Sequence, residues 1–172
     1  MNLRKLISFI FLFRLLLGGA SAKEFKVILK LVDIRAEKTV DSGGDQVYFN
    51  MTEYSSLGHS KENRVPLYPG HWLSKQLPMV KNLALWRGVL KDNESIKLIV
   101  SLGEQGESAW EVNSSIGAAE LILENKEGKL KKTWTIPVFE EKKEVEMLNK
   151  NGEERFVFKG AGSRYDVAFK IE

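Results

Sequence analysis

Short runs in which apolar and polar residues alternate recur along the chain, and each predicts a half-buried β-strand. The most regular is the C-terminal run, where every second residue from Tyr165 to Ile171 is apolar or aromatic. Lys26–Ile34 shows the same alternation, and shorter apolar-rich runs cover Val47–Met51, Leu83–Leu90 and Ile96–Leu102. After residue 22, no long segment has the 3.6-residue apolar period of a helix. The pattern predicts an all-β fold, namely an antiparallel two-sheet β-sandwich of about eight strands.

The connections between these runs predict how the strands are linked. A short polar connection, Lys91–Ser95, joins Leu83–Leu90 to Ile96–Leu102 and predicts a β-hairpin. The C-terminal third continues with a turn at Asn125–Lys129 and a strand at Lys132–Phe139. The charge run that follows, from Glu140 to Glu146, predicts a solvated face, and a helical turn is compatible with it.

Thr52–Lys81 is the least regular part of the chain, because three prolines interrupt it. We expect loops there, with a short edge strand at Arg64–Tyr68. Tyr54, Tyr68 and Trp72 are expected to lie in the core or to fill loops, since aromatic rings commonly bury a large area.

Residues 1–22 have the three parts of a secretory signal peptide. They begin with two basic residues, continue with the apolar run Leu6–Phe13 and end in the small residues Ala20-Ser21-Ala22. Arg14 interrupts the apolar character, which disfavours a membrane anchor because a spanning helix needs roughly 20 apolar residues. We therefore expect cleavage after Ala22, leaving a single domain of residues 23–172.

The predicted mature chain has no net charge. Residues 1–22 contain three basic and no acidic residues, so the 26 basic residues of the sequence become 23, equal to its 23 acidic residues. A neutral chain gives no electrostatic reason to expect nucleic-acid binding. The sequence also lacks cysteine, so packing rather than disulfides must stabilise the fold. This favours a secreted or periplasmic bacterial protein.

The loop after the first predicted strand carries Asp41 and then the segment Gly43-Gly44-Asp45-Gln46-Val47-Tyr48. Farther along, a strand with Trp86 leads to the aliphatic run Ile96–Leu102, and a polar loop then leads to Ile116-Gly117. These three parts, in this order, resemble the C-two domains, a family of calcium- and lipid-binding β-sandwiches whose first loop runs into Gly-x-x-Asp-Pro-Tyr. The resemblance covers roughly half of the mature chain. It implies a C-two-like sandwich.

The same resemblance implies a calcium site. Asp41 and Asp45 stand where the family has ligands in its first loop, and Glu104 and Glu107, or Glu111, would face them from a second loop. Calcium prefers six to eight oxygen ligands, but here Glu-Gln-Gly-Glu replaces the family's Asp-x-Asp. In the alternative interpretation Asp41 and Asp45 only cap the turn by accepting backbone hydrogen bonds. No cofactor other than calcium is expected.

A second candidate surface is a cluster of lysines near the predicted turn at Asn125–Lys129. Its members are Lys126, Lys129, Lys131 and Lys132. Such a cluster would attract anionic headgroups or an acidic partner at about 1 kcal/mol per charge. The alternative is an ordinary solvated turn, because lysines are common on exposed edges.

The sequence offers little for catalysis. His59 and His71 are the only histidines, no thiol exists, and no nucleophile elbow, phosphate-binding glycine loop or zinc motif is present. We expect an exported, non-enzymatic binding module that contacts a protein partner or a membrane surface. The alternatives are an assembly component of a bacterial envelope or secretion machine, whose sheet edges pair with a partner strand, calcium-dependent phospholipid binding, and a hydrolase built around His71.

Overall fold

The computed structural model describes residues 23–55, 58–106, 114–137, 144–150 and 153–172. Eleven β-strands lie in these residues, against the about eight predicted, and among them no helix is long and apolar enough to cross a bilayer. The strands are β1 Phe25–Lys38, β2 Gln46–Ser55, β3 Ser60–Val65, β4 Trp72–Leu73, β5 Leu83–Leu90, β6 Ser95–Glu104, β7 Ser114–Lys126, β8 Lys129–Thr135, β9 Glu144–Lys150, β10 Glu153–Gly160 and β11 Ser163–Ile171. A 3₁₀ helix, Ser74–Met79, follows β4.

The strands form two antiparallel sheets that pack face to face. The first sheet has the order β5-β1-β11-β10-β9, and the second has the order β3-β2-β6-β7-β8, with β4 paired to the start of β2. The predicted all-β, antiparallel two-sheet sandwich is therefore confirmed.

The alternation in the sequence explains where the core lies. In β11, Tyr165, Val167 and Phe169 are fully buried, and their polar neighbours face outward. Phe169 meets Phe49 of the opposite sheet edge to face, with ring centroids 5.9 Å apart. Each such buried side chain contributes roughly 1.5–3 kcal/mol relative to an exposed one. Leu77 of the 3₁₀ helix, also fully buried, adds to the same core.

The predicted hairpin between Leu83–Leu90 and Ile96–Leu102 is wrong, because the two strands belong to different sheets. β5 pairs with β1, whereas β6 pairs with β2 and β7. Their connection crosses between layers that are typically about 10 Å apart. A short polar link between two apolar-rich strands fits either arrangement, so the pattern alone could not distinguish them.

Several strands also begin or end where we did not expect it. β1 continues to Lys38, because its last residues pair with β11 as far as Lys38↔Arg164. The edge strand is Ser60–Val65 rather than Arg64–Tyr68, since Pro66 has no N–H to donate to a ladder.

The predictions for the C-terminal third need similar correction. β8 covers Lys129–Thr135 and so begins before the predicted strand Lys132–Phe139. Residues 136 and 137 are not in a strand, and residues 138 and 139 fall outside the described residues. The turn after β7 is reduced to Glu127 and Gly128. Of the charge run expected as a helical turn, residues 144–146 lie in β9, and residues 140–143 fall outside the described residues.

The prediction for the three aromatic residues of the irregular region holds for one of them. Trp72 is half-buried and packs against Phe49, with ring centroids 6.5 Å apart. Tyr54 and Tyr68 are 43% and 72% exposed, so for them the expectation of burial is wrong.

Candidate functional site

One end of the sandwich collects most of the candidate residues, and we call it the loop end. It consists of the described residues 39–45, 66–71, 104–106 and 161–162, which are brought together because β1 ends, β2 begins, β6 ends and β11 begins there. The opposite end carries the turn between β7 and β8, with its lysines. The two sequence-predicted sites therefore lie at opposite ends of the molecule.

Asp45 anchors the loop end, and its side chain is fully buried. Its Oδ1 accepts hydrogen bonds from the backbone N–H groups of Val40 and Asp41, at 2.9 and 3.0 Å. Its Oδ2 accepts from the hydroxyls of Ser163 and Tyr165, at 2.6 and 2.5 Å. The carboxylate thereby ties the loop after β1 to the start of β11. The turn-capping interpretation is confirmed for Asp45.

These donors control the ionisation of Asp45. Burial alone would raise the pKa of a carboxyl group, but the Ser163 and Tyr165 hydroxyls and the two backbone N–H groups stabilise the charged form and hold the pKa of Asp45 below its usual value. Burial, and then the Asp45 carboxylate, raise the pKa of Tyr165. Asp45 is therefore ionised and Tyr165 is neutral across the physiological range.

The loop around Asp45 depends on a glycine. Gly44 has φ +96°, a left-handed conformation that side chains rarely adopt, and its N–H donates to the Asp41 carbonyl at 3.0 Å. A Cβ at this position would lie 2.8 Å from Ser74 Oγ. The backbone of Ser74 in turn donates to the Asp45 carbonyl at 2.9 Å. The Gly-Gly-Asp segment singled out in the sequence therefore forms a tight turn packed against the 3₁₀ helix.

Three of the four predicted calcium ligands come together at this end. Carboxylate oxygens of Asp41, Asp45 and Glu104 all lie within 4.8 Å of one another. Burial, and then the charges of Asp45 and Asp41, raise the pKa of Glu104 to about 7. Glu107 and Glu111 fall outside the described residues.

The chemistry of this carboxylate cluster follows from how its members are bonded. Both oxygens of Asp45 already accept two hydrogen bonds each, so only Asp41 and Glu104 offer uncommitted carboxylates. The described part of the loop end thus supplies fewer oxygens than the six to eight that calcium prefers. Close carboxylates repel one another, and either a proton on Glu104 or a bound cation would relieve that repulsion.

The loop end also exposes large apolar side chains, which the sequence analysis did not identify. Leu67 and Tyr68 are 77% and 72% exposed in the connection between β3 and β4, and Val40 is 56% exposed in the loop after β1. The prolines at 66 and 69, which bracket Leu67 and Tyr68, were the available signal. From the sequence alone, however, these prolines predict only breaks in secondary structure.

Arg64 holds this apolar connection in place and was also missed. Its guanidinium lies 3.7 Å from the centroid of the Tyr48 ring and 5.3 Å from that of Tyr68. Its Nη2 donates to the Gly70 carbonyl at 3.0 Å and to Gln105 Oε1 at 2.6 Å. Because Gln105 directly follows Glu104, one side chain links the apolar connection to the strand that carries the cluster.

The lysine cluster at the opposite end is largely neutralised by acidic neighbours. Lys126 and Lys131 both pair with Glu124, at 2.8 and 3.6 Å, and Lys132 pairs with Glu154 at 3.6 Å. Lys129 has no ion-pair partner among the described residues. This geometry is that of a solvated turn and gives little support to an anionic-surface site.

The two histidines lie at different ends of the sandwich. His59 is in the turn between β2 and β3, and His71 lies at the loop end, where its Nδ1 is buried and has no hydrogen-bond partner among the described residues. They are not brought together.

Comparisons of the chain with protein-family models, with curated proteins and with solved structures find no match.

Proposed function

We propose that the chain is an exported, non-enzymatic binding module that contacts a protein partner through its loop end. The observation that carries the proposal is the combination, at one end of the sandwich, of exposed Leu67 and Tyr68 with the carboxylates of Asp41, Asp45 and Glu104. Large exposed apolar side chains rimmed by charge are typical of interaction sites. The clamp of Arg64 supports the same function, because a fixed aromatic loses little conformational entropy on binding.

The chemistry of the loop end indicates what kind of partner it fits. A complementary protein surface would offer an apolar pocket for Leu67 and Tyr68 and a lysine or arginine for Asp41 and Glu104. An anionic membrane is disfavoured as the direct target, because the loop end is acidic and most of the lysines at the opposite end are already paired. A role in the assembly of an envelope or secretion machine is compatible with such a partner.

Capture from an envelope extract tests this function with matched variants. The test variant carries Leu67→Ser and Tyr68→Ser, and the control carries Val89→Ser, which changes an exposed apolar residue of β5 outside the loop end. A protein retained by the unaltered chain and by the control, but lost with the test variant, is the expected result. Equal capture by all three proteins would contradict the proposal.

A second candidate function is calcium-dependent phospholipid binding, which the close approach of Asp41, Asp45 and Glu104 favours. A cation bound there would neutralise the loop end and allow Leu67 and Tyr68 to meet a bilayer. Co-sedimentation with phosphatidylserine vesicles in about 1 mM calcium, compared with chelator, tests it. Binding that needs calcium and is lost with Asp41→Asn would replace the protein partner with a membrane.

A further inference from the structure

In the part of the chain that the structure describes, each sheet of the sandwich has two edges. β3 and β8 border one sheet, and β5 and β9 border the other. An edge strand exposes unpaired backbone N–H and C=O groups, to which another strand can add unless the edge is protected. The four edges differ in how they are protected.

Three of these edges carry devices that discourage pairing. β3 is followed directly by Pro66, which has no N–H to donate to an added strand. β5 is interrupted by a bulge in its pairing with β1, and the Asn63 amide donates to the Leu85 carbonyl at 3.0 Å. β8 carries three lysines, Lys129, Lys131 and Lys132, so a second copy of β8 would meet charges of the same sign.

β9 lacks these devices. It pairs with β10 over seven residues without a bulge, and among the described residues no strand pairs with its other edge. Met147 and Leu148, at its middle, are 40% and 43% exposed. It contains no proline, and its charged positions have both signs, with glutamates at 144 and 146 and a lysine at 150.

We propose that β9 pairs antiparallel with β9 of a second copy of this chain, around a two-fold axis at Met147. In this register Met147 lies opposite Met147 of the second copy, and Glu144 lies opposite Lys150 of the second copy at both ends of the ribbon. The order of charges along β9 is thus self-complementary, as a two-fold interface requires. The pairing joins two sheets into one continuous sheet of ten strands.

The expected association is weak. A seven-residue ribbon is about 24 Å long, and pairing along one edge buries less area than the roughly 1,200 Å² of a stable interface. Dimers should therefore form in a concentration-dependent way. β9 lies in the other sheet from Leu67 and Tyr68, so the Leu67→Ser and Tyr68→Ser variant should dimerise as the unaltered chain does. A failure of partner binding at the loop end can therefore be distinguished from a failure of dimerisation through β9.

Variants that exchange the charges at positions 144 and 150 test the register. Their dimerisation is measured by sedimentation equilibrium at protein concentrations between about 5 and about 500 µM. Lys150→Glu alone, or Glu144→Lys alone, places like charges opposite each other at both ends and should weaken dimerisation roughly ten-fold. The double variant restores opposite charges and should restore association. A chain that remains monomeric throughout this range, or a double variant no stronger than the single ones, would overturn the proposal.

Cysteine cross-linking tests the position of the axis. Because the sequence has no native cysteine, an introduced cysteine can form a disulfide only with its copy in the second chain. Only a residue at the axis lies opposite itself, so Met147→Cys should form a disulfide-linked dimer much faster than Val89→Cys on the edge of β5. Equal rates for the two variants would overturn the proposed axis.

Discussion

The two ends of the sandwich carry charge in different ways. At the opposite end, Lys126 and Lys131 share Glu124, and Lys132 reaches Glu154. At the loop end, the carboxylates of Asp41, Asp45 and Glu104 lie within 4.8 Å of one another, and none of the ion pairs found among the described residues includes any of the three. Neighbouring charges of opposite sign neutralise one another. Neighbouring charges of one sign repel, and a proton, a cation or a basic partner can relieve this repulsion. The loop end is therefore the better candidate for function.

The largest expected effect comes from removing the anchor of the loop end. Asp45→Ala leaves two hydroxyls and two backbone N–H groups without their acceptor, and should lower the free energy of unfolding by about 3 kcal/mol at pH 7. Urea denaturation measures this loss. Asp45→Asn, which keeps the shape and one acceptor oxygen, should lose less. A loss below about 1 kcal/mol for Asp45→Ala would show that the network is not structural.

The next effect concerns the clamp on the apolar connection. Arg64→Ala should cost about 2 kcal/mol, because it removes stacking on Tyr48 and two hydrogen bonds. It should also increase hydrogen exchange in residues 66–71. Arg64→Lys keeps the charge but not the planar guanidinium, so it should restore only part of the protection. Unchanged exchange in both variants would contradict the role of Arg64 as a clamp.

A smaller effect is expected from pH. Because the pKa of Glu104 is raised to about 7, the folded state binds more protons than the unfolded state between about pH 4.5 and pH 7, and stability falls as pH rises through this window. Glu104→Gln should abolish this loss of stability and raise the free energy of unfolding at pH 8 by about 1 kcal/mol. The gain is modest because the side chain is partly solvated and water weakens the repulsion.

Thermal melts at pH 5 and pH 8 check this prediction. Glu104→Gln should change the melting temperature much more at pH 8 than at pH 5, and Glu62→Gln on the exposed edge β3 serves as the control. An equal change at both pH values for Glu104→Gln would contradict the proposed repulsion.

The smallest effect belongs to the opposite end. Lys131→Gln removes an exposed ion pair with Glu124 and should change the free energy of unfolding by less than about 0.5 kcal/mol. Denaturation with and without added salt measures it. A loss comparable to that of Asp45→Ala would abolish the contrast between the two ends.

The sequence predicted the fold class because a buried face leaves a period of two, as in Tyr165 to Ile171. It did not predict which strands pair across a connection, since β5 and β6 have the same pattern whether they form a hairpin or cross between sheets. Of the site, Asp41, Asp45 and Glu104 were predicted from the resemblance to C-two domains. Arg64 was not, because its partners, Tyr48, Gly70 and Gln105, converge only in the folded chain.

Uncompensated negative charge distinguishes the loop end, and a carboxyl ¹³C NMR titration of Glu104 measures its effect on a single group. We predict half-protonation near pH 7 in the unaltered chain, with a shift towards the ordinary value in Asp41→Asn, since the Asp41 charge contributes to the rise. A midpoint near the ordinary value of 4.5 in the unaltered chain, unchanged by Asp41→Asn, would contradict the claim.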